Sequence, residues 1–262
     1  MTTYADGALI LSVEDQIATL TLNRPKSRNA LNQAIWRALP AVVAEAAAEP
    51  AIRALVVRGG GATFASGADI GEFPEVFATK ASALDYGLLI ETAAEALSAL
   101  SKPTIALIEG FCIGAGLAVA LACDLRICSD TAQLGAPPAK LGLMYSLGDT
   151  RRLVDAVGAS TAKDMLFTGA LYGADEALRV GLVNAVHPAD ALEAAVLAKA
   201  NAIAGLSSWS MAHNKAVVER ILQGQRADTE ETRHWFASAV EGRDFQEALA
   251  AFHARRPPVF PR

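Results

Sequence analysis

The stretch from residue 104 to residue 123 constrains the fold more than any other part of the chain. It is almost wholly apolar, carries Glu109 as its single charge, and contains Gly110, Gly114 and Gly116. A charge in the middle of the segment is costly in a bilayer, and its first half has the composition of a β-strand. We therefore interpret the stretch as a buried strand, a glycine turn and a buried helix, not as a membrane span.

Strand-like runs alternate with helical patterns through the first part of the chain. The runs are separated by a short polar turn or by segments whose apolar residues recur at helical spacing. This alternation is typical of an α/β core with parallel strand pairing. The predicted strands cover residues 8–13, 17–22, 53–58, 104–109, 125–129 and 182–187, and the predicted helices cover 29–49 with Asn29 as N-cap, 81–100, and a segment from about Ala115.

The chain becomes predominantly helical after about residue 149. No linker rich in Pro or Ser separates the two parts. We therefore predict a single domain, residues 1–262, in which an α/β core over about 1–200 continues into a helical region over about 201–262. The predicted helices of the second part cover residues 149–157, 161–167, 174–180, 189–205, 208–223 and 228–254, the last with a break near Gly242.

Composition and charge exclude several classes of function. Hydrophobic residues make up 52% of the chain, which is ample for a packed core. The net charge of -5 argues against a nucleic-acid partner, because such proteins carry a basic face. Cys112, Cys123 and Cys128 show no metal-ligand spacing, so we expect no metal site. The first residues lack a signal-peptide pattern, and we expect a cytoplasmic protein without a membrane partner.

The motifs of several common enzyme classes are absent from the sequence. The chain has neither the GxxxxGK[ST] sequence of a P-loop nor the GxSxG sequence of a serine hydrolase. The glycines at 110, 114 and 116 follow a predicted strand and precede a helix, as in a dinucleotide-binding loop, but their spacing is not GxGxxG. A Rossmann-like nucleotide binder is therefore the less favoured alternative.

Two glycine-containing turns are the remaining candidates for chemistry. Residues 66–69 (SGAD) and residues 114–116 (GAG) each come after a predicted buried strand. Small residues at such turns allow a ligand to approach backbone N–H groups closely, and the second turn begins a helix whose positive end favours an oxyanion. The residues by themselves leave a second interpretation open, in which both are tight packing turns.

In their context these turns resemble those of the crotonase family, also called the enoyl-CoA hydratase/isomerase family. The resemblance extends over essentially the whole chain and follows the order and spacing of the family's motifs. The fold that it implies is a crotonase-like (ββα) spiral α/β core with a helical C-terminal extension. The matching segments are residues 22–25 (LNRP) with 29–32 (NALN), 64–70 (FASGADI), 102–103 (KP) with 110–116 (GFCIGAG) and 123–124 (CD), 167–169 (FTG) with 174–183 (ADEALRVGLV), and 247–260 (EALAAFHARRPPVF).

The resemblance also implies a function for the two turns. In the family they form an oxyanion hole, and the matching donors here are the backbone N–H groups of Ala68 and Ala115. They would bind a thioester carbonyl and stabilise the enolate formed from it. The implied ligand is an acyl-CoA, with coenzyme A entering as part of the substrate and with no separately bound cofactor.

The same resemblance implies where coenzyme A lies and how subunits associate. The family forms trimers or paired trimers through its C-terminal helices, so a homotrimer or homohexamer is implied, and the apolar Trp235-Phe236 pair is compatible with it. Lysine and arginine side chains would supply local positive charge for the phosphates. The implied CoA-binding positions are Lys26, Arg28 and Ala30, then Ala65, Ser66, Asp69 and Ile70 near the adenine, and Phe252 and Arg255, which would close over the cofactor, often from a neighbouring subunit.

The chain departs from the family at the positions of its acid and base. Hydratases of the family carry two glutamates, and the matching residues here are Ala118 and Pro138. Neither side chain has a proton to give or take, so water addition by two glutamates is not supported. The family's Δ3-Δ2 enoyl isomerases keep the second carboxylate, which is also missing here.

Substitute acid/base groups are expected in the polar segment that follows. Tyr145, Ser146 and Asp149 are its candidates, and an aspartate occupies the position of Ser146 in the family's dienoyl-CoA isomerases. For Asp149, an N-cap role at the following helix is the favoured interpretation. Tyr145 is equally compatible with a proton donor and with a packing role. Glu72 and Glu109 are weaker candidates, for which exposed or structural roles are expected.

Two interpretations of the function stay open. The first is a crotonase-type enzyme that acts on an acyl-CoA through an enolate with a non-standard acid/base, as a lyase, isomerase, thioesterase or decarboxylase. The second is a non-catalytic acyl-CoA binding protein that has lost its acid/base residues. In either case we expect the helix over 81–100 and the loop over 73–77 to line the acyl group.

Overall fold

The computed structural model describes residues 1–260. Pro261 and Arg262, which end the predicted helical region, lie outside the described residues. Short apolar runs bounded by turns form the strands, as their composition predicts. In chain order the strands are β1 (Thr2–Tyr4), β2 (Leu9–Glu14), β3 (Ile17–Leu22), β4 (Ala54–Gly59), β5 (Thr104–Ile108), β6 (Phe111–Ile113), β7 (Leu125–Ser129), β8 (Gln133–Gly135), β9 (Leu171–Gly173) and β10 (Ala185–His187).

Seven of these strands form a large mixed sheet in the order β1-β2-β3-β4-β5-β7-β10. The β1–β2 and β2–β3 pairs are antiparallel, and every later pair, from β3–β4 to β7–β10, is parallel. The parallel strands need crossover segments, which the helices supply. The predicted α/β class with parallel pairing is therefore confirmed.

Helices cover both faces of the large sheet. On β4, Leu55 and Val57 pack into one apolar cluster, while Ala54 and Val56 pack into a second cluster that includes Val196. Alternate residues of a strand point to opposite faces, so a strand buried on both sides is apolar throughout. The helices are α1 (Gln33–Ala48), α2 (Phe73–Val76), α3 (Lys80–Ser98), α4 (Ala115–Leu121), α5 (Leu147–Thr168), α6 (Ala174–Arg179), α7 (Leu192–Ala204), α8 (Ser208–Leu222), α9 (Glu230–Ser238) and α10 (Arg243–His253).

The small sheet of β6, β8 and β9 was not among the expected elements. The β6–β8 pair is parallel and the β8–β9 pair is antiparallel. Each strand has three residues, which is too short for an alternating pattern to be recognised in the sequence. The sheet matters for the site, because β6 leads directly into the turn at Gly114.

The prediction that Asn29 caps the first helix is wrong. Asn32 is the N-cap of α1, and its side-chain oxygen accepts a hydrogen bond from the Ile35 N–H at 3.0 Å. Asn29 is instead fully buried with a φ of +56°, a conformation that asparagine tolerates better than most residues. Its side chain satisfies backbone groups of the neighbouring loops, so the residue organises a loop and not a helix.

Several boundaries in the second part of the chain also differ from the prediction. The helices expected over 149–157 and 161–167 are one helix, α5, with a non-helical residue at Gly158. The strand expected over 182–187 is β10, which is restricted to Ala185–His187. The expected break near Gly242 is present between α9 and α10.

The C-terminal helices are joined to the core by an ion pair. The Lys215 ammonium of α8 lies 2.9 Å from the Asp124 carboxylate, which also accepts hydrogen bonds from the Thr104 backbone N–H and hydroxyl. Within residues 1–260, none of the helices combines the length and apolar character that crossing a membrane requires.

The assignment of residues 1–262 to a single domain stays a prediction.

Candidate active site

A cavity of about 640 Å³ lies where the two glycine-containing turns meet α2, α3 and the segment 137–149. Its lining is mostly apolar, and few polar side chains reach it. The residues that line it include Ser66, Gly67, Ala68, Ile70, Phe73, Phe77, Ala83, Tyr86, Gly87, Ile90, Ile113, Gly114, Ala115, Ala118, Pro137, Pro138, Lys140, Leu141, Leu143, Met144, Tyr145, Ser146 and Asp149.

Backbone pairing holds the two turns side by side. The Ala65 N–H donates to the Phe111 carbonyl at 3.0 Å, and the Ile113 N–H donates to the Ala65 carbonyl at 3.0 Å. A Cβ at Gly116 would lie 2.6 Å from the Ala65 carbonyl oxygen, so only glycine permits this approach. The small residues of both turns are therefore required by their mutual packing.

Two amides remain unpaired at this junction. Gly67 and Gly114, which precede Ala68 and Ala115, have φ angles of +123° and +54°, and neither carries a side chain that could cover the following peptide group. The N–H groups of Ala68 and Ala115 donate no hydrogen bond to any atom of residues 1–260. Both residues line the cavity, so two adjacent donors are available to a ligand there.

Arg24, which is not among the predicted site residues, connects the outer loop to the first turn. Arg24 Nη1 donates to the Ala30 carbonyl at 2.6 Å and to the Asp69 carboxylate at 2.8 Å. The buried Asn29 amide donates to the carbonyls of Gly60 and Thr63. Arg24 belongs to the LNRP segment, so its motif was the signal that could have identified it.

The predicted CoA-binding positions on these two loops come together. The Ser66 N–H donates to the Arg28 carbonyl at 3.0 Å, which places the loop of Lys26 and Arg28 beside the first turn. Ala30 and Ala65 are buried, while Ile70 is exposed at the cavity rim. The side chains of Lys26 and Arg28 are exposed and form no ion pair with another described residue.

The two remaining CoA-binding positions do not join this group in the single chain. Phe252, on α10, is 78% exposed, and Arg255 follows that helix with a φ of +53°. Neither residue lines the cavity. Their predicted contact with coenzyme A stays a prediction.

Ala118 and Pro138 both line the cavity. The cavity wall is therefore apolar at the two positions that the resemblance matches to the glutamates of family hydratases. Glu72 and Glu109 do not replace them, because neither lines the cavity. The Glu72 carboxylate instead accepts a hydrogen bond from the Gln33 N–H at 2.8 Å, at the start of α1.

Asp149 supplies a carboxyl group to the cavity wall, and its predicted role as an N-cap is wrong. Ser146 is the N-cap of α5, since its hydroxyl accepts a hydrogen bond from the Asp149 N–H at 3.0 Å and donates one to the Asp149 carboxylate at 2.9 Å. Burial raises the pKa of Asp149, while the Ser146 hydroxyl and the Arg152 guanidinium act in the opposite direction. A carboxyl with a raised pKa in a cavity is a typical acid/base candidate.

Arg152 connects Asp149 to helix α3. Its guanidinium lies 3.4 Å from the Asp149 carboxylate and 2.5 Å from the Glu95 carboxylate of α3. Arg152 and Asp149 are both buried, so their charges are poorly screened by solvent. Glu95 was not among the predicted site residues, because nothing in the spacing along the chain places it near Asp149.

Tyr145 points its hydroxyl at the second turn. The O–H donates to the Gly114 carbonyl at 2.7 Å. Burial raises the pKa of Tyr145 well above its ordinary value, so the hydroxyl stays protonated at neutral pH. Tyr145 therefore contacts a backbone group of the second turn, and its role as a proton donor stays a prediction.

The apolar end of the cavity is built from aromatic rings. Phe77 makes edge-to-face contacts with Phe73 at 4.9 Å and with Tyr86 at 5.7 Å between ring centroids. Burial raises the pKa of Tyr86 to about 12, so its hydroxyl carries no charge near neutral pH. The wall expected for the acyl group, from α3 and the loop before it, is thus hydrocarbon and aromatic in character.

The chain is similar to known proteins along nearly its whole length. The enoyl-CoA hydratase/isomerase family model matches residues 12–262. The chain is 33% identical to the short-chain-enoyl-CoA hydratase of Clostridium acetobutylicum, over 95% of each protein. It is 33% identical to the 2,3-dehydroadipyl-CoA hydratase of Escherichia coli, over 96% of this chain and 98% of that protein.

A solved structure shows the same fold. An enoyl-CoA hydratase/carnithine racemase from Magnetospirillum magneticum superimposes with a TM-score of 0.94 at 34% identity, covering 97% of this chain and 95% of that chain. Likeness at this level extends through the core and the C-terminal helices. The resemblance drawn from the motifs and the fold that it implied are confirmed.

Proposed function

Because the chain belongs to the enoyl-CoA hydratase/isomerase family, we propose that it binds an acyl-CoA and stabilises a thioester enolate with the N–H groups of Ala68 and Ala115. The observation that carries this proposal is the pair of unpaired amides on one apolar cavity. Preorganised donors in a site of low polarity stabilise developing negative charge strongly, because they need no reorganisation during the reaction.

We propose that coenzyme A lies along the loop of Lys26, Arg28 and Ala30. The two exposed cations have no ion-pair partner in the described chain, and the loop is hydrogen-bonded to the first turn at Ser66. Charged nitrogen donors suit phosphate oxygens, and here they offset an overall charge of -5. Ala65, Asp69 and Ile70 would then border the adenine.

We propose Asp149 as the group that moves the proton. It is the carboxyl group that lines the cavity within residues 1–260, and its raised pKa favours reversible proton uptake. Ser146 would orient it through the 2.9 Å hydrogen bond. This assignment gives the site one carboxylate where a family hydratase has two.

A single carboxylate suits migration of a carbon–carbon double bond better than addition of water. In a 3-enoyl thioester, the Asp149 carboxylate would take a proton from the α-carbon, and the electron pair would move into the dienolate held by Ala68 and Ala115. The Asp149 carboxylic acid would then return the proton at the γ-carbon, which gives the 2-enoyl thioester. Atoms and charge balance without water or a second acid.

A second candidate function is non-catalytic binding of an acyl-CoA. It is favoured by the apolar side chains of Ala118 and Pro138 on the cavity wall. Under this alternative Asp149 would serve only to stabilise the start of α5 together with Ser146 and Arg152. Both candidates share the same ligand and differ in whether a proton is exchanged.

We propose a homotrimer or homohexamer as the working assembly. Several large apolar side chains of the C-terminal helices are exposed in the single chain, Phe236 at 85% and Phe252 at 78%. Exposed apolar groups at this density are typical of subunit interfaces. In the assembly, Phe252 and Arg255 would close over coenzyme A bound to a neighbour.

One experiment separates the two candidate functions. The protein is incubated in D₂O with saturated, 2-enoyl and 3-enoyl CoA thioesters, and deuterium at the α- and γ-carbons is followed by mass spectrometry. The enzyme proposal predicts exchange faster than in buffer and conversion of 3-enoyl to 2-enoyl thioesters. Binding measured by calorimetry without exchange or conversion of any thioester would instead support the binding protein.

A further inference from the structure

The hydroxyl of Tyr145 touches the peptide group that carries one of the two proposed oxyanion donors. It donates to the carbonyl oxygen of Gly114 at 2.7 Å. That carbonyl and the Ala115 N–H belong to the same planar peptide unit, so their directions are fixed relative to each other. A hydrogen bond that fixes the orientation of the Gly114 carbonyl therefore also fixes the direction of the Ala115 N–H.

The conformation at Gly114 gives this contact its importance. Its φ of 54° and ψ of −119° lie outside the regions open to other residues, and glycine has no side chain that could restrain them. The carbonyl receives a second hydrogen bond from the Ala118 N–H at 3.0 Å, within the first turn of α4. The two donors together fix the orientation of the peptide plane.

A hydrogen bond to a carbonyl oxygen also strengthens the donor at the other end of the same amide. Hydrogen bonds in series polarise one another, and the effect is larger where the surroundings are apolar. Tyr145 is buried against the apolar cavity, so water competes little for its hydroxyl.

We propose that Tyr145 is a positioning residue, whose hydroxyl aims and strengthens the Ala115 N–H toward the thioester oxygen. This inference rests on the proposed function of Ala68 and Ala115 as oxyanion donors. Tyr145 also immediately precedes Ser146, the N-cap of α5, and so it ties the helix that carries Asp149 to the peptide that carries the donor. One side chain thus connects the oxyanion site to the segment that leads into the helix of the proposed proton carrier.

The test measures polarisation of a bound thioester and not only turnover. Crotonyl-CoA labelled with ¹³C at the carbonyl is bound to the wild-type protein and to Tyr145→Phe, and the carbonyl stretch is recorded by difference infrared spectroscopy. We expect a shift to lower frequency in the wild type and a smaller shift in the variant. Proton exchange should fall about 10-fold, less than when an oxyanion donor is removed outright, with a smaller change in the Kd of crotonyl-CoA.

Tyr172→Phe is the matched control. Tyr172 is buried, and its hydroxyl donates to the Asp164 carboxylate at 2.6 Å without lining the cavity. This variant should keep the wild-type carbonyl shift. If Tyr145→Phe does not fold, 3-fluorotyrosine at position 145 replaces it. Fluorine makes the hydroxyl a stronger donor, so this substitution should enlarge the shift.

The outcomes distinguish failure of this inference from failure of the proposed function. A carbonyl shift in the wild type that is unchanged in Tyr145→Phe, or unchanged by 3-fluorotyrosine, overturns the role of Tyr145 and leaves the oxyanion donors in place. No shift in the wild type, with crotonyl-CoA bound, overturns the oxyanion assignment and the role of Tyr145 with it.

Discussion

The two glycine turns and the segment 137–149 form different parts of one cavity and are built on different principles. The turns offer backbone amides, held by strand pairing and by contacts that only glycine permits at Gly116. The segment 137–149 offers side chains, and here Pro138 is apolar while Asp149 supplies a carboxyl group. Backbone donors tolerate change in neighbouring side chains, so one part can keep its geometry while the other changes its chemistry.

The largest loss of proton exchange is expected from distorting the glycine turn that carries the Ala115 N–H. Gly114→Ala places a side chain on a backbone with a φ of +54°, which strains the turn and rotates the Ala115 N–H away from the ligand. We expect α-proton exchange to fall about 10²- to 10³-fold, as when an oxyanion donor is lost. The rate is measured in D₂O on the CoA thioester that the wild type exchanges fastest.

Gly7→Ala is the control for this prediction. Gly7 also has a positive φ, +84°, but it lies in the first loop, and a Cβ there would meet no atom within 4 Å. Its exchange rate should equal that of the wild type. Equal losses in both variants would show that the effect of Gly114→Ala is a general loss of stability.

The next largest loss of proton exchange is expected from changing the carboxyl group in the segment 137–149. Asp149→Asn removes the proposed proton carrier while keeping its size, and we expect exchange to fall about 100-fold with little change in the Kd of the thioester. Asp155→Asn is the control, because Asp155 lies on the same helix and does not line this cavity. Full exchange in Asp149→Asn would contradict the assignment.

The pH dependence of exchange tests the same residue without changing the fold. Asp149 would accept a proton only as a carboxylate, so activity should be lost as pH falls through its pKa. Burial raises that pKa above the ordinary value of 3.8, and the loss should therefore begin at a higher pH than for an exposed aspartate. Below the midpoint the rate should fall about tenfold per pH unit. If the residual exchange activity of Asp149→Asn shows the same pH profile as the wild type, the midpoint of that profile belongs to another group.

The smallest effect is expected where coenzyme A would meet solvent. The double variant Lys26→Ala with Arg28→Ala should raise the Kd of CoA thioesters about 3- to 10-fold at low salt, and by less at high salt, because exposed ion pairs are screened. Thioesters of pantetheine lack the nucleotide phosphates and serve as the control ligand. If the double variant weakens the binding of both kinds of thioester equally, the phosphates of coenzyme A do not contact Lys26 and Arg28.

Much of this site was predictable because its key features are local. Glycine spacing after an apolar strand predicts a turn with accessible amides, and the FASGADI and GFCIGAG segments identify the family. The alanine and proline at positions 118 and 138, where the resemblance implies glutamates in a hydratase, are equally visible in the sequence. The short strands β6, β8 and β9 were not, since three residues show no period.

Other features depend on contacts between distant segments. Asparagine and aspartate are both favoured at helix N-caps, so Asn29 and Asp149 were predicted as caps. In the structure, Asn32 and Ser146 occupy the N-cap positions. Capping depends on where the helix geometry begins, and both helix starts lie three residues from the predicted caps. Local preference alone therefore assigned the wrong residue twice.

The amino-acid sequence determined the α/β class and the two glycine turns, because both follow from short-range patterns of glycine and apolar residues, and its ordered motifs identified the family. The tertiary structure alone decided that Arg24 meets Asp69, that Glu95 meets Arg152, and that the Tyr145 hydroxyl meets the Gly114 carbonyl. These pairs are 31 to 57 residues apart along the chain. Such contacts arise when the core packs, since burial brings together groups that no local pattern relates.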